Sequence, residues 1–392
     1  MIKKSLLRSG SGIRFRLELV QDKEAYFWGK YDRHVLDQVN AARTARLDGV
    51  GSFAAAMKLL IIGFTQAGHM GTYLASAARQ LGVEHQMVNA GSAEARSRLG
   101  RSFYWHLRGK RPARLDEFGT QVVDMSARTR PSVVLTTGRA PLVRAHIEVL
   151  RGRGMRVVNY STDDPWNPAL RAPWFLSAIS SYDVVFTTRR ANIGDFLGCG
   201  VHAVHYLPFG YDPYVHRPWP NTNPAGVPSD VLFVGGCDAD RLPLIGALID
   251  AGLNVALFGG YWNRHSKTRP CWRGMADQDT IRAASAAARV CLCLVRRANR
   301  DGHVMRSFEA AAIGGCILAE DTADHRELFG PQDHAVRYFR TMAEMVQQAK
   351  MLVADAEMRR RLSFELRKRL RLGSHTYADR LAEMLRLSNV DG

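Results

Sequence analysis

The chain has 392 residues, 46% hydrophobic and 23% charged, which is the composition of a globular protein with room for two cores. No apolar run reaches the roughly 18 residues of a membrane span. The start Met1-Ile2-Lys3-Lys4 has no apolar core behind it, which argues against a secretory signal and for a cytoplasmic protein. The net charge of +17 suits anionic partners such as a nucleotide sugar, a membrane surface or nucleic acid. These charges are spread over the chain and no known nucleic-acid motif accompanies them, so most read as solvated surface, with at most a peripheral membrane role.

Residues 1–56 differ from the rest, with Ser-Gly-Ser-Gly at 9–12 and scattered charges, and read as a leader or extension outside the fold. From Met57 the pattern alternates. Strands are expected at 58–63, 84–88, 132–136, 155–160, 183–187 and 203–207, with helices at 70–81, 114–130, 140–151 and 189–198. Six prolines between Pro208 and Pro228 then interrupt the pattern, and 216–229 reads as a linker. A second series follows, with strands at 230–235, 253–258, 289–295, 316–320 and 335–339. Its helices are expected near 239–251, 277–287, 304–314, 342–353 and 355–371, with a last amphipathic piece from Thr376 to Leu387. The series divides the chain into a first α/β domain over 57–215, a second over 230–373, and a terminal helix within 374–392. Such alternation argues for two parallel, doubly wound sheets with a ligand cleft between the carboxyl ends of their strands. Cysteines 199, 237, 271, 291, 293 and 316 lack metal-type spacing and read as small core residues in a reducing compartment.

Several turns facing that cleft carry chemistry. Gly235-Gly236 precedes a helix that begins near Arg241, and free amides there, with the guanidinium, suit a phosphate; a plain tight turn fits equally. Gly259, Tyr261 and Trp262 follow the next strand, the aromatics either stacking on a nucleobase or packing. The expected helix at 304–314 offers amides around His303 and Val304 for a diphosphate, Arg306 to neutralise it, and Glu309 to accept from ribose hydroxyls. Asp301 stands eight residues before Glu309. In the first domain, His69 follows the first strand and suits contact with a donor phosphate or acid–base work. Asp163 and Asp164 follow the fourth strand, suited to orienting an acceptor hydroxyl, to serving as a base, or to turn formation. Asp238-Ala239-Asp240 has the form of a metal motif, but its position fits a helix cap, and no metal site is expected.

Asp301 to Gly315 resembles the Glu-x7-Glu signature of the retaining "group 1" glycosyltransferases, with Asp in place of the first Glu. Stretches at 183–188, 206–213, 233–236 with Arg241, 306–310 and 375–380 resemble the CgeB/YkvP-type spore-protein branch of that family. The resemblance implies the GT-B fold, two Rossmann-like domains facing across a cleft, with a C-terminal helix returning to the first. It implies a nucleotide-diphosphate sugar as donor, held mainly by the second domain, and transfer to a glycan, lipid or other small acceptor with retention and without a cofactor or essential metal. Arg241 and Arg306 would then stabilise the leaving-group charge. A sugar-nucleotide epimerase and a non-catalytic nucleotide-sugar-binding protein of the same fold are the alternatives.

Overall fold

A computed structural model describes residues 57–220, 226 and 228–388, so the expected leader at 1–56 and most of the 221–227 stretch lie outside the described residues. The first sheet runs β1 (Lys58–Gly63), β2 (Glu84–Asn89), β3 (Val133–Thr137), β4 (Arg156–Ser161), β5 (Val184–Thr187) and β6 (Val204–Tyr206). Its spatial order is β2-β1-β3-β4-β5-β6 and every pairing is parallel. Leu59 to Ile62 are all buried, as a strand covered on both faces requires. The connecting helices are α1 (Met70–Gln80), α2 (Arg98–Leu107), α3 (Leu115–Thr129), α4 (Arg144–Gly152), α5 (Pro173–Leu176) and α6 (Ile193–Gly198). The core joins Leu60, Ile62, Val134, Val157 and Val185 to Phe118, Ile147, Phe175 and Phe196. Truncating Leu60 or Ile62 to Ala would cost about 2–5 kcal/mol.

The second sheet has β7 (Ser229–Val234), β8 (Val255–Phe258), β9 (Ala288–Cys293), β10 (Ile317–Glu320) and β11 (Arg337–Phe339), in the order β11-β10-β9-β7-β8, again all parallel. Alternate residues feed two cores, one per face: Leu232, Ala256, Cys291 and Ile317 on one side, Val231, Val255, Val290 and Leu318 on the other. Helices α7 (Arg241–Asp250), α8 (Gln278–Ala287), α9 (Met305–Ile313), α10 (Ala323–Phe329), α11 (Met342–Ala354) and α12 (Ala356–Leu372) cover it. Side-chain caps start several of them: Asp277 accepts from Thr280 N, Thr341 from Glu344 N and Asp355 from Met358 N. Helix α13 (Tyr377–Ser388) leaves this domain and packs on α1, with Tyr377 stacked on Tyr73 at 5.1 Å.

Helices α2, α5 and α10 were absent from the periodicity reading. Their lengths of ten, four and seven residues leave little room for a repeat, and α2 buries none of its residues. The cysteines also divide: Cys291, Cys293 and Cys316 are buried core thiols, whereas Cys199 is exposed and Cys237 and Cys271 are half-buried.

Candidate active site

Strand order reverses between β1 and β3 in the first sheet and between β7 and β9 in the second. Each reversal opens a crevice at the carboxyl ends of its strands. At the first, a Cβ on Gly63 would stand 3.1 Å from the Gly71 Cα, so the two glycines let α1 start hard against β1. Gly68 (φ +86°) makes the turn and His69 caps the helix with an exposed ring, 5.2 Å from that of Phe64. At the second, Gly259 (φ +125°) brings its backbone so close to Gly235 that a Cβ would stand 2.4 Å from the Gly235 oxygen. Only glycine fits there.

The two carboxyl edges face each other. Asn167 Nδ2 donates to Asn299 Oδ1 at 2.6 Å, Arg300 binds Asp164 through Nε (2.6 Å) and Nη2 (3.0 Å), and Arg189 Nε meets Asp301 at 2.5 Å. All three contacts join loops after β4 or β5 to the loop after β9.

These contacts redefine several expected site residues. Asp164 is 1% exposed and also accepts from Asn192 and Trp166 N, so it is an anchor rather than a free base. Asp163, half-buried, lies 3.5 Å from Asn299 Nδ2. Asp301 is spent on Arg189 and the Arg296 amide, and burial pushes its carboxyl up despite Arg189. It is unavailable to a donor. The His303 ring is sealed as well: Nε2 accepts from Phe209 N and Nδ1 faces Asp324, while burial lowers its pKa. Only its backbone and that of Val304 remain at the α9 start.

Trp262 is fully buried and donates from Nε1 to Gly235 O at 2.8 Å, so it packs under the glycine turn and cannot stack on a base. Tyr261, at φ +74°, is exposed beneath Arg264. Arg241 lies over Phe233 and gives Nη1 and Nη2 to the Gly236 and Leu294 carbonyls, each at 3.3 Å. Its charge sits at the crevice, yet it also braces the turn. Asp238 accepts from Arg241 N, which makes it the expected cap. Among the described residues, no group of three or more His, Cys, Asp and Glu side chains is placed to hold a metal.

Glu309 departs most from expectation. Its carboxylate has 0% exposure and cannot meet a ribose as it stands. It forms an ion pair with Arg306 one turn away and lies 3.3 Å from His216 Nε2. His216 Nδ1 accepts from Asp212 N, so the ring proton sits on Nε2, facing the carboxylate and the Tyr73 hydroxyl. Tyr73 accepts in turn from Gln278 Nε2 at 2.8 Å. Burial alone would raise the Glu309 carboxyl, but Arg306, then His216 and Tyr73, outweigh it and hold it at about 2. The Arg306 charge is the largest of these opposing effects, and the His216 and Tyr73 donors add to it. The cluster joins α1, the residue just after the 211–215 turn, α8 and α9. Arg306 itself keeps about a quarter of its side chain exposed (23%).

Sequence reasoning missed Arg296 and Arg297. Both follow the apolar run ending at Val295, next to the reversal; burial raises the nearby Glu320 carboxyl, and Arg297 and Arg241 only partly offset that rise. Their position directly after a central strand was the available signal. A cavity of about 380 Å³ also opens beside β8 and the start of α8, lined by Trp219, Phe258, Arg273, Asp277, Asp279 and Thr280.

Residues 241–386 match the family model described as glycosyl transferase-like. Known structures share the fold over most of the chain. Sucrose-phosphate synthase from Thermosynechococcus elongatus aligns over 84% of this chain and 98% of its own, at 13% identity and a TM-score of 0.58. Trehalose 6-phosphate synthase from Burkholderia multivorans aligns over 85% and 97%, at 12% identity and a TM-score of 0.55. Anabaena HepE, solved with UDP-glucose, aligns over 86% and 100%, at 10% identity and a TM-score of 0.55. No curated protein sequence matches the chain. The fold is therefore GT-B, two Rossmann-like domains facing across a cleft.

Proposed function

We propose that this protein is a glycosyltransferase that moves a sugar from a nucleotide-diphosphate donor to an acceptor hydroxyl, with retention and without a metal. One observation carries the reading: the carboxyl edges of two doubly wound sheets face each other, and α9, bearing the Arg306–Glu309 pair, begins at their junction. Amides at the α7 and α9 starts and the cations of Arg306, Arg296 and Arg297 suit a diphosphate. As the glycosidic bond breaks, negative charge grows on the departing diphosphate, and cations already in place lower that barrier. In this scheme Glu309 is a positioning residue that fixes Arg306. His69 stands on the opposite lip for the sugar or phosphate, and Asp163 is the first-domain carboxylate left for the acceptor. The glycosyl transferase-like match over 241–386 supports the same assignment.

A panel of UDP-, GDP- and dTDP-sugars tests it by thermal shift and donor hydrolysis. At least one donor should raise the melting temperature, and Arg306→Ala should lose that response with an unchanged circular dichroism spectrum. Stabilisation without hydrolysis or transfer to any acceptor would leave a nucleotide-sugar-binding protein. No response to any donor would defeat the reading.

A further inference from the structure

Helix α2 has no place in the cleft and no core to serve. None of its ten residues is buried, and only Gly100 and Tyr104 are even half-covered. Its ends are nevertheless held. Ser97 Oγ accepts from Gly100 N, and Arg101 Nη1 bonds the carbonyls of Ala95 and Arg96. Beyond its last turn, Lys110 Nζ reaches Arg171 O and Trp174 Nε1 donates to Lys110 O. The fold therefore tethers the helix at both ends and leaves its length in solvent.

Along that length Leu99, Phe103 and Leu107 stand four residues apart, a single stripe. Leu99 is 86% and Leu107 73% exposed. Arg96, Arg98, Arg101, Arg108 and Arg111 surround the stripe, and no Asp or Glu occurs between Glu94 and Asp116. An apolar stripe costs solubility in water, and a wholly basic frame is attracted to anions. An interfacial helix has this combination: apolar side chains enter the headgroup–acyl boundary while the cations stay on the phosphates. Nucleic acid offers Leu99 and Leu107 no apolar phase.

We propose that α2 docks the protein on an anionic phospholipid surface, with Leu99, Phe103 and Leu107 inserted and the flanking arginines on the headgroups. The helix follows β2 at the carboxyl edge of the first sheet, the edge that also bears His69. Docking there brings the first-domain lip of the cleft to the lipid. The proposal is independent of the donor chemistry.

The full chain is sedimented with vesicles of phosphatidylcholine alone or mixed with phosphatidylglycerol, without any nucleotide sugar. Binding is expected to the mixed vesicles only and to weaken with salt. Leu99→Asp with Leu107→Asp should abolish it, and Arg98→Glu with Arg101→Glu should lower it by about tenfold or more. All variants should keep the wild-type melting temperature and donor response. The proposal is overturned if the wild type ignores mixed vesicles. It is overturned also if the leucine variants bind as the wild type does while the charge variants fail, which would mark a polyanion site. A wild-type dimer that the leucine variants dissociate, with no vesicle binding, would assign the stripe to self-association instead.

Discussion

Replacing Glu309 with Gln removes one charge from a fully buried cluster and leaves every neighbour in place. In the folded protein the carboxyl lies at about 2 against an ordinary 4.5. At roughly 1.4 kcal/mol per pH unit, ionised Glu309 contributes about 3 kcal/mol. A depressed carboxyl stabilises the fold above its ordinary value and loses that contribution as pH falls from about 4.5 towards 2. Glu309→Gln should therefore lower stability at pH 7 by about 3 kcal/mol, a loss of roughly 6–12 °C for a domain of this size. Arg306 is left half-buried without its counter-charge, which adds to the cost. Scanning calorimetry at pH 7 and at steps down to pH 3 reads both parts. The variant should melt lower at pH 7, and the gap to the wild type should close as the medium is acidified. Adding Arg306→Met should recover part of the loss, because it removes the orphaned cation. A variant that melts within about 1 °C of the wild type at pH 7 would refute the reasoning.

His325 tests a different pH window. Burial, against its hydrogen bond to Glu320 O, lowers its pKa to about 4. The folded state resists protonation that the unfolded chain accepts, so stability should fall as pH drops from about 6.5 to 4, and His325→Gln should flatten that slope in pH-dependent melts. Trp262→Phe leaves Gly235 O without its donor and a void where the larger indole packed, which should cost about 2–3 kcal/mol in urea unfolding and weaken donor binding through the loosened turn. Arg300→Ala strips Asp164 of its bidentate partner across the cleft; because Arg300 is solvent-exposed and Asp164 keeps Asn192 and Trp166 N, a drop of about 1–2 kcal/mol by calorimetry is expected, and an unchanged melt would show that the tether is idle. His69→Ala, at an exposed helix cap, should leave the melting temperature in place while donor turnover falls by about 100-fold; equal turnover would remove His69 from the chemistry.

The strands were legible because each is a short apolar run between turn residues, and their alternation with helices implied two parallel sheets. Where a helix does not face a core, that logic fails, as α2 demonstrates. At the site, sequence found the elements but not the alliances. Glu309 and Arg306 were visible as neighbours on one helix face. That Tyr73 and His216, 143 residues apart, would close over them has no local signature. The same holds for Asp164 and Arg300, separated by 136 positions. A carboxylate after a central strand looks alike in sequence whether it meets a substrate or a distant arginine. Trp262 was ambiguous for a related reason: an aromatic after a glycine pair can cover a ligand or support the turn, and only the Gly235 carbonyl decides.

The return of α13 to α1 has a consequence for how the chain is made. Tyr73 is covered on one face by α13, where Tyr377 stacks on it and Arg380 ties the same segment to the Phe209 carbonyl at 2.9 Å. The sixth strand ends at Tyr206, about 170 residues before Tyr377, which a ribosome adds in roughly 9–34 s at 5–20 residues per second. For that interval the nascent first domain has all six strands but carries an uncovered aromatic face on α1. Completion of its surface waits for α13, so a premature stop before Tyr377 would damage the domain made first.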